Sequence, residues 1–218
     1  MKHQFNDAGV RAIVILANFG QNLEKIIKET PIETVIITEI GDMLGGFKKT
    51  LVNFVVKNVK KMVPPFSLPG ALPFNEAMKK GAGGAYTRHR IDSEEVAFLQ
   101  YTGGTTGVSK GAMLTHRNIL ANMEQISAWM LPKLKHGEET VITALPMYHI
   151  FALTVNCLAM LHIGAMNILV TNPRDMPAFI KTMKKFKFSI FTGVNTLFNV
   201  ALAPIRDEKP LRSRFFEV

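Results

Sequence analysis

Arg11-Ala12-Ile13-Val14-Ile15-Leu16 and Thr34-Val35-Ile36-Ile37-Thr38 are the two stretches whose reading decides the fold. Both are short, rich in β-branched residues and bounded by Gly, Asn or Pro, the pattern of buried strands. Between them Gln21–Lys28 has a helical pattern that ends before Pro31, so the segment reads strand, helix, strand. That order at that spacing marks a βαβ unit with parallel strands. Working outward, Val96–Tyr101, Val141–Leu145, Ala165–Val170 and Ser189–Phe191 read as further strands. Asn75–Lys80, His116–Met130, Ile150–Ile163, Phe179–Phe186 and Val194–Ala203 read as helices. The expected class is α/β, with largely parallel sheets and flanking helices.

From Thr140 to Pro173 there are 34 residues without Asp, Glu, Lys or Arg. A membrane-spanning helix needs about 20 apolar residues in succession. Pro146 interrupts early, Asn156, His162 and Asn167 are polar, and Gly164 sits where a helix would end. Strand, buried helix and strand account for the stretch better, because strands buried on both faces also read as apolar runs. At 218 residues, 47% hydrophobic and 20% charged, the chain can build a substantial core, which excludes disorder. The single Cys157 excludes a disulfide scaffold and is expected to be a buried core residue. The N-terminus lacks the apolar stretch of a signal peptide, so secretion is not expected.

The net charge is +9 and patchy. Lys48, Lys49, Lys57, Lys60 and Lys61 form one cluster, with no acid between Met43 and Asn75; Lys181, Lys184, Lys185 and Lys187 form another. Aromatic residues are not interleaved with these lysines as a base-stacking platform requires, so nucleic acid is not an expected partner. Phe47–Met62 is the clearest helix: Phe47, Leu51, Phe54, Val55, Val59 and Met62 recur at steps of three and four. Lys49, Lys57, Lys60 and Lys61 fall on the other side, which fits an interfacial membrane segment or a core-packed helix with a solvated face. Pro64–Pro73 reads as a loop, and a subdomain break is placed near 64–95.

Chemistry concentrates in Tyr101-Thr102-Gly103-Gly104-Thr105-Thr106-Gly107-Val108-Ser109-Lys110-Gly111, continued by Ala112. The glycines let backbone approach a ligand closely. Successive N–H groups converge on anionic oxygens, the Thr and Ser hydroxyls add donors, and Lys110 adds a point charge suited to phosphate. Walker spacing is absent, because Val108 and Ser109 separate Gly107 from Lys110 and Gly111 follows. The G-x-G-x-x-G dinucleotide spacing is also absent. The residues alone give a phosphate loop of unassigned class, against a flexible turn.

The loop, its continuation Ala112-Met113-Leu114-Thr115-His116-Arg117-Asn118, and Leu145-Pro146-Met147-Tyr148-His149 resemble the adenylate-forming enzymes. Within that superfamily the chain looks most like bacterial long-chain fatty acid–CoA ligases. The resemblance implies residues 1–203 as part of the large adenylating domain, with a divergent tail at 204–218. It also implies the reaction: a fatty acid carboxylate attacks ATP to give acyl-adenylate and pyrophosphate, and coenzyme A then gives acyl-CoA and AMP. In that scheme residues 101–112 bind the nucleotide, and Thr105, Thr106 and Lys110 neutralise charge as pyrophosphate leaves. Mg²⁺ would bridge phosphate oxygens, with no metal ligand supplied by these residues. His149 would border the acyl and pantetheine entrance, or simply be hydrogen-bonded at a helix start. Gly193 and Val194 would lie beside the acyl pocket, though core packing explains them equally. His116 and Arg117 either touch phosphate or begin the next helix.

The family is more than twice this length, so the resemblance implies a partial domain. The metal-binding carboxylate, the ribose-binding Asp and the C-terminal catalytic Lys of the family are not in this sequence, and the chain alone is not expected to complete acyl-CoA synthesis. A non-catalytic phosphate- or acyl-binding remnant is the alternative function. Expected partners are a long-chain fatty acid, ATP and CoA. A cytoplasmic location, peripheral on the inner face of the membrane, and self-association through uncovered apolar surface complete the expectations.

Overall fold

The computed structural model describes residues 1–103, 107–195, 197 and 198, the side chain of Leu131 excepted. The chain divides into two compact units: Met1–Ile91 with Tyr101–Ala112, and Asp92–Gln100 with the described residues from Met113 onward.

In the first unit, α1 (Lys2–Asp7) precedes β1 (Ala12–Leu16), α2 (Gly20–Glu24) and β2 (Thr34–Thr38). Single 3-10 turns at Ala17–Phe19 and Ile27–Glu29 flank α2, so the expected helix is shorter and broken. α3 (Gly46–Phe54), β3 (Leu72–Pro73) and α4 (Phe74–Ala82) follow. β1 and β2 pair in parallel with Ala12 opposite Thr34 and Leu16 opposite Thr38, and β3 joins β2 in parallel. Side chains alternate across a sheet, so Ile13, Ile15, Val35 and Ile37 share one face. They pack with Leu23, Phe5, Ile26 and Ile27, while Val14, on the other face, is exposed.

β4 (Val96–Thr102) and β5 (Lys110–Thr115) form a two-stranded sheet. The strands reverse direction: the His116 N–H reaches the Glu95 carbonyl at one end, and Gly111 lies against Tyr101 at the other. Lys110 and Gly111, expected in the loop, are therefore the first residues of a strand. Pairing explains the shift, because hydrogen bonds to β4 fix their backbone whatever the local glycine content.

The second unit continues with α5 (His116–Met130), β6 (Thr140–Thr143), a helical run, β7 (Met166–Leu169), α8 (Met176–Lys185) and β8 (Ile190–Thr192). The sheet order is β7-β6-β8, all parallel. Val141 and Ile190 meet Ala159, Met160 and Ile163 on one face. Ile142 and Phe191 meet Phe179 and Met183 of α8 on the other. Helices thus cover both faces, which is why these strands read as continuous apolar runs. The helical run comprises α6 (Ile150–Ala152), a π-helical segment Leu153–Ala159 and α7 (Met160–His162). Cys157, expected buried, is only partly so. Among the described residues no helix is long and apolar enough to cross a membrane.

The expected single helix over Phe47–Met62 is corrected. α3 ends at Phe54, continues as a π-helical turn over Val55–Val59, and none of its residues is buried. The apolar side chains do not pack on a core: Phe47 is 79% exposed and Phe54 57%.

Candidate functional site

The loop between β4 and β5 is held from its flanks. The Tyr101 hydroxyl donates to Asp7 Oδ2 at 2.5 Å. That carboxylate, accepting the phenolic proton, holds Tyr101 above the ordinary phenol range. A Cβ on Gly111 would come within 2.9 Å of the Tyr101 ring, so glycine there lets the ring lie flat across the hairpin. His3 Nε2 lies 3.1 Å from the Ser109 carbonyl, and Gln4 Nε2 donates to Ser109 Oγ at 3.4 Å. Two residues read as nucleotide contacts, Tyr101 and Ser109, are thus engaged by α1. Sequence reading missed the role of Gln4 and Asp7, since contacts about a hundred residues apart leave no local pattern.

The remaining described loop residues are open. Thr102, Gly103, Gly107, Val108 and Lys110 are exposed, and Ala112 continues β5. Among the described residues a Cβ at Gly103 or Gly107 would meet nothing within 4 Å. What glycine leaves is bare backbone, accessible to a ligand. Lys110 makes no ion pair among the described residues. Gly104, Thr105 and Thr106 lie outside the described residues.

The next residues have a structural explanation. The Thr115 N–H donates to Asn118 Oδ1 at 3.0 Å, and the Asn118 N–H donates to Thr115 Oγ1 at 3.2 Å. This reciprocal pair caps α5 as a capping box does. Arg117 pairs with Glu94 at 3.1 Å. Of the two readings left open for Arg117, the structure shows the one in which it begins a helix.

In the second unit, Leu145, Pro146, His149, Phe151, Gly193, Val194 and Asn195 line a cleft of about 650 Å³. It lies just past the carboxyl ends of β6 and β8, where open α/β sheets bind ligands. His149, Gly193 and Val194 are therefore brought together. His149 caps α6, its Nδ1 accepting the Phe151 N–H at 3.3 Å. With Nδ1 an acceptor, the neutral ring carries its proton on Nε2, leaving one N–H donor in the cleft lining.

Behind this cleft is a polar cluster that the sequence showed only as oddities in an apolar stretch. Asn156 is fully buried and donates to Thr143 Oγ1 at 3.0 Å and to Thr192 Oγ1 at 2.8 Å. Thr143 and Thr192 are register partners, each the last residue of its strand. Thr192 donates back to Asn156 Oδ1 at 3.0 Å, Thr143 donates to Asn167 Oδ1 at 2.5 Å, and Asn167 donates to the Asn156 carbonyl at 2.9 Å. The side-chain polar groups of Asn156 are all paired, as burial requires.

Among the described residues no group of three or more His, Cys, Asp or Glu side chains is placed to hold a metal ion.

The family model for the AMP-binding enzymes matches residues 1–215. The chain belongs to that family. It is 54% identical over 202 residues to the long-chain-fatty-acid–CoA ligase of Escherichia coli O157:H7, an alignment covering 93% of this chain and 36% of that one. Against the long-chain-fatty-acid–CoA ligase of Bacillus subtilis the identity is 32% over 200 residues, covering 91% of this chain and 35% of the relative. The chain therefore spans about a third of the length of the curated relatives it matches. A crystal structure of a long-chain-fatty-acid–CoA ligase from Archaeoglobus fulgidus superposes with a TM-score of 0.61 at 20% identity, covering 95% of this chain and 34% of that one. An anthranilate CoA ligase gives 0.67 at 19% identity, covering 93% and 34%. These structures establish the same α/β fold.

Proposed function

We propose that this AMP-binding chain serves the ATP-dependent activation of a long-chain fatty acid. The fatty acid carboxylate attacks the α-phosphorus of ATP, releasing pyrophosphate and forming the acyl-adenylate. The thiol of coenzyme A then displaces AMP to give acyl-CoA. The observation that carries the reading is the 54% identity to a long-chain-fatty-acid–CoA ligase across 202 residues, loop and cleft included.

In this reading the loop residues from Thr102 to Gly111, with Gly104, Thr105 and Thr106, hold the β and γ phosphates. Bare backbone at Gly103 and Gly107 admits the phosphate oxygens, and Lys110, exposed and in no ion pair among the described residues, lowers the cost of charge on departing pyrophosphate. Mg²⁺ would arrive with the nucleotide. The cleft lined by Gly193 and Val194 takes the acyl or pantetheine chain, and the Nε2–H of His149 orients a carbonyl or carboxylate oxygen at its mouth. We also place the chain in the cytoplasm, in peripheral contact with the inner face of the membrane through Phe47–Met62. Self-association through the same apolar surface competes with that contact.

The test is displacement of a fluorescent fatty acid by palmitate. Val194→Trp, which fills the cleft, is expected to weaken palmitate binding about tenfold or more, the equivalent of ~1.4 kcal/mol of lost contact. Unchanged affinity would put the acyl chain elsewhere.

A further inference from the structure

α3 is amphipathic, and it is turned the opposite way from a core helix. Phe47, Leu51 and Phe54 stand at i, i+4 and i+7 and share a face; Lys49 and Asn53 lie roughly 150° away at 100° per residue. The polar side faces the protein. Lys49 Nζ pairs with Asp42 at 3.3 Å, Asn53 Oδ1 accepts the Gly41 N–H at 2.7 Å, and Asn53 Nδ2 donates to Asp42 Oδ1 at 3.4 Å. Gly41 has no room for a Cβ, which would lie 2.6 Å from Asn53 Oδ1 and 2.9 Å from the Lys49 carbonyl. Two side chains and a close backbone approach thus fix the helix with its apolar side outward.

The apolar surface is wider than the helix. Ile40, Met43 and Leu44, in the preceding turn, are exposed, Met43 at 77%. Val59 and Met62, past the π-helical turn, are exposed as well. Around them stand Lys48, Lys60 and Lys61, all exposed, in a segment without an acidic residue from residue 44 to residue 74; Lys57, in line with Lys49 and Asn53, lies on the protein-facing side. Apolar exposure on this scale marks an interaction surface. The charge decides which kind. Lysine is depleted at protein–protein interfaces, whereas a basic rim around aromatic and aliphatic side chains is the composition of a segment lying in a lipid interface.

We propose that the outward face of Met43–Met62 docks on an anionic lipid bilayer, with Phe47, Leu51 and Phe54 entering the acyl boundary. Lys48, Lys60 and Lys61 then meet headgroup phosphates, their stems lying along the apolar surface. The inference rests on the peripheral-membrane reading above and adds the partner's charge, the orientation, and the turn as part of the surface.

The experiment is vesicle flotation of the full chain with phosphatidylcholine, with and without phosphatidylglycerol, alongside sedimentation velocity. Binding is expected only with phosphatidylglycerol and is weakened by salt. Lys48→Gln, Lys60→Gln and Lys61→Gln together should lower partitioning about a hundredfold, at ~1 kcal/mol for each lysine near the surface. Phe47→Ser with Phe54→Ser should abolish it, and Met43→Ser should reduce it several-fold, with circular dichroism unchanged because these side chains support no core. Binding to anionic vesicles that survives the serine changes at Met43, Phe47 and Phe54 would overturn the orientation while leaving peripheral contact standing. No binding to any vesicle would overturn both. A dimer dissolved by Phe47→Ser, in a chain indifferent to vesicles, would make this face a contact between copies and overturn the proposal.

Discussion

The two parallel sheets begin from similar sequence and end in different environments. RAIVIL and VITAL are both apolar runs, yet β1 keeps one face covered while β6 is covered on both. The first sheet's buried cluster consists of Ile15, Leu23 and Val35, and Val14 looks into solvent. The second sheet's clusters draw on two sets of helices and enclose Phe179, Phe191, Met160 and Ile142. Apolarity of a strand therefore reports that it can be buried. Whether it is buried depends on which helices the connections lay across it.

The sharpest way to break that contrast is to cut into the doubly covered second core and follow denaturant unfolding. Phe179→Ala, in the second core, is expected to cost about 3–5 kcal/mol. Asn156→Leu should cost about 1–3 kcal/mol, because it leaves the buried Thr192 hydroxyl without its partner and takes from Thr143 the donor it accepts from. It should also loosen the cleft behind which it lies, reducing palmitate affinity while leaving nucleotide affinity unchanged.

These two residues show what was legible. Phe179 stood in a helical pattern and was readable as core. Asn156, in an uncharged stretch, was readable only as an argument against a membrane span. Its three hydrogen-bonding partners lie on three strands, and their convergence follows from the sheet order β7-β6-β8, which local spacing does not encode. The same division holds at the loop. The glycines, hydroxyls and Lys110 of the loop suggested a phosphate site, whereas the anchoring of Tyr101 by Asp7 left no local signal. Helix α3 was legible as amphipathic, while the direction it faces was set by Asp42 and Gly41, outside the helical pattern.

Asp42 sharpens the comparison through pH. Burial pushes its carboxyl up, but the Glu39 N–H, Lys49 and the Thr38 hydroxyl together outweigh burial and hold it below the usual carboxylate range. A lowered value stabilises the folded form above the unfolded pKa of about 3.9, and that contribution is lost as pH falls through the folded value. Asp42→Asn should cost about 1 kcal/mol at neutral pH and flatten the acid dependence of the first unit's unfolding. An unaltered acid limb would remove Asp42 from the account. The smallest effects are expected at Val14→Ser and Phe54→Ser, within about 0.5 kcal/mol on stability, because both side chains already face solvent. A loss of several kcal/mol at either would show a covered face.

The central claim is that the loop between β4 and β5 binds the phosphates of ATP. Isothermal titration of ATP into the folded chain and into Lys110→Ala tests it most directly. Loss of the charged contact is expected to weaken binding by about 1.5–3 kcal/mol, roughly 10- to 150-fold, with the fold unchanged. Equal affinity in the two proteins would contradict the claim and put the phosphate site elsewhere.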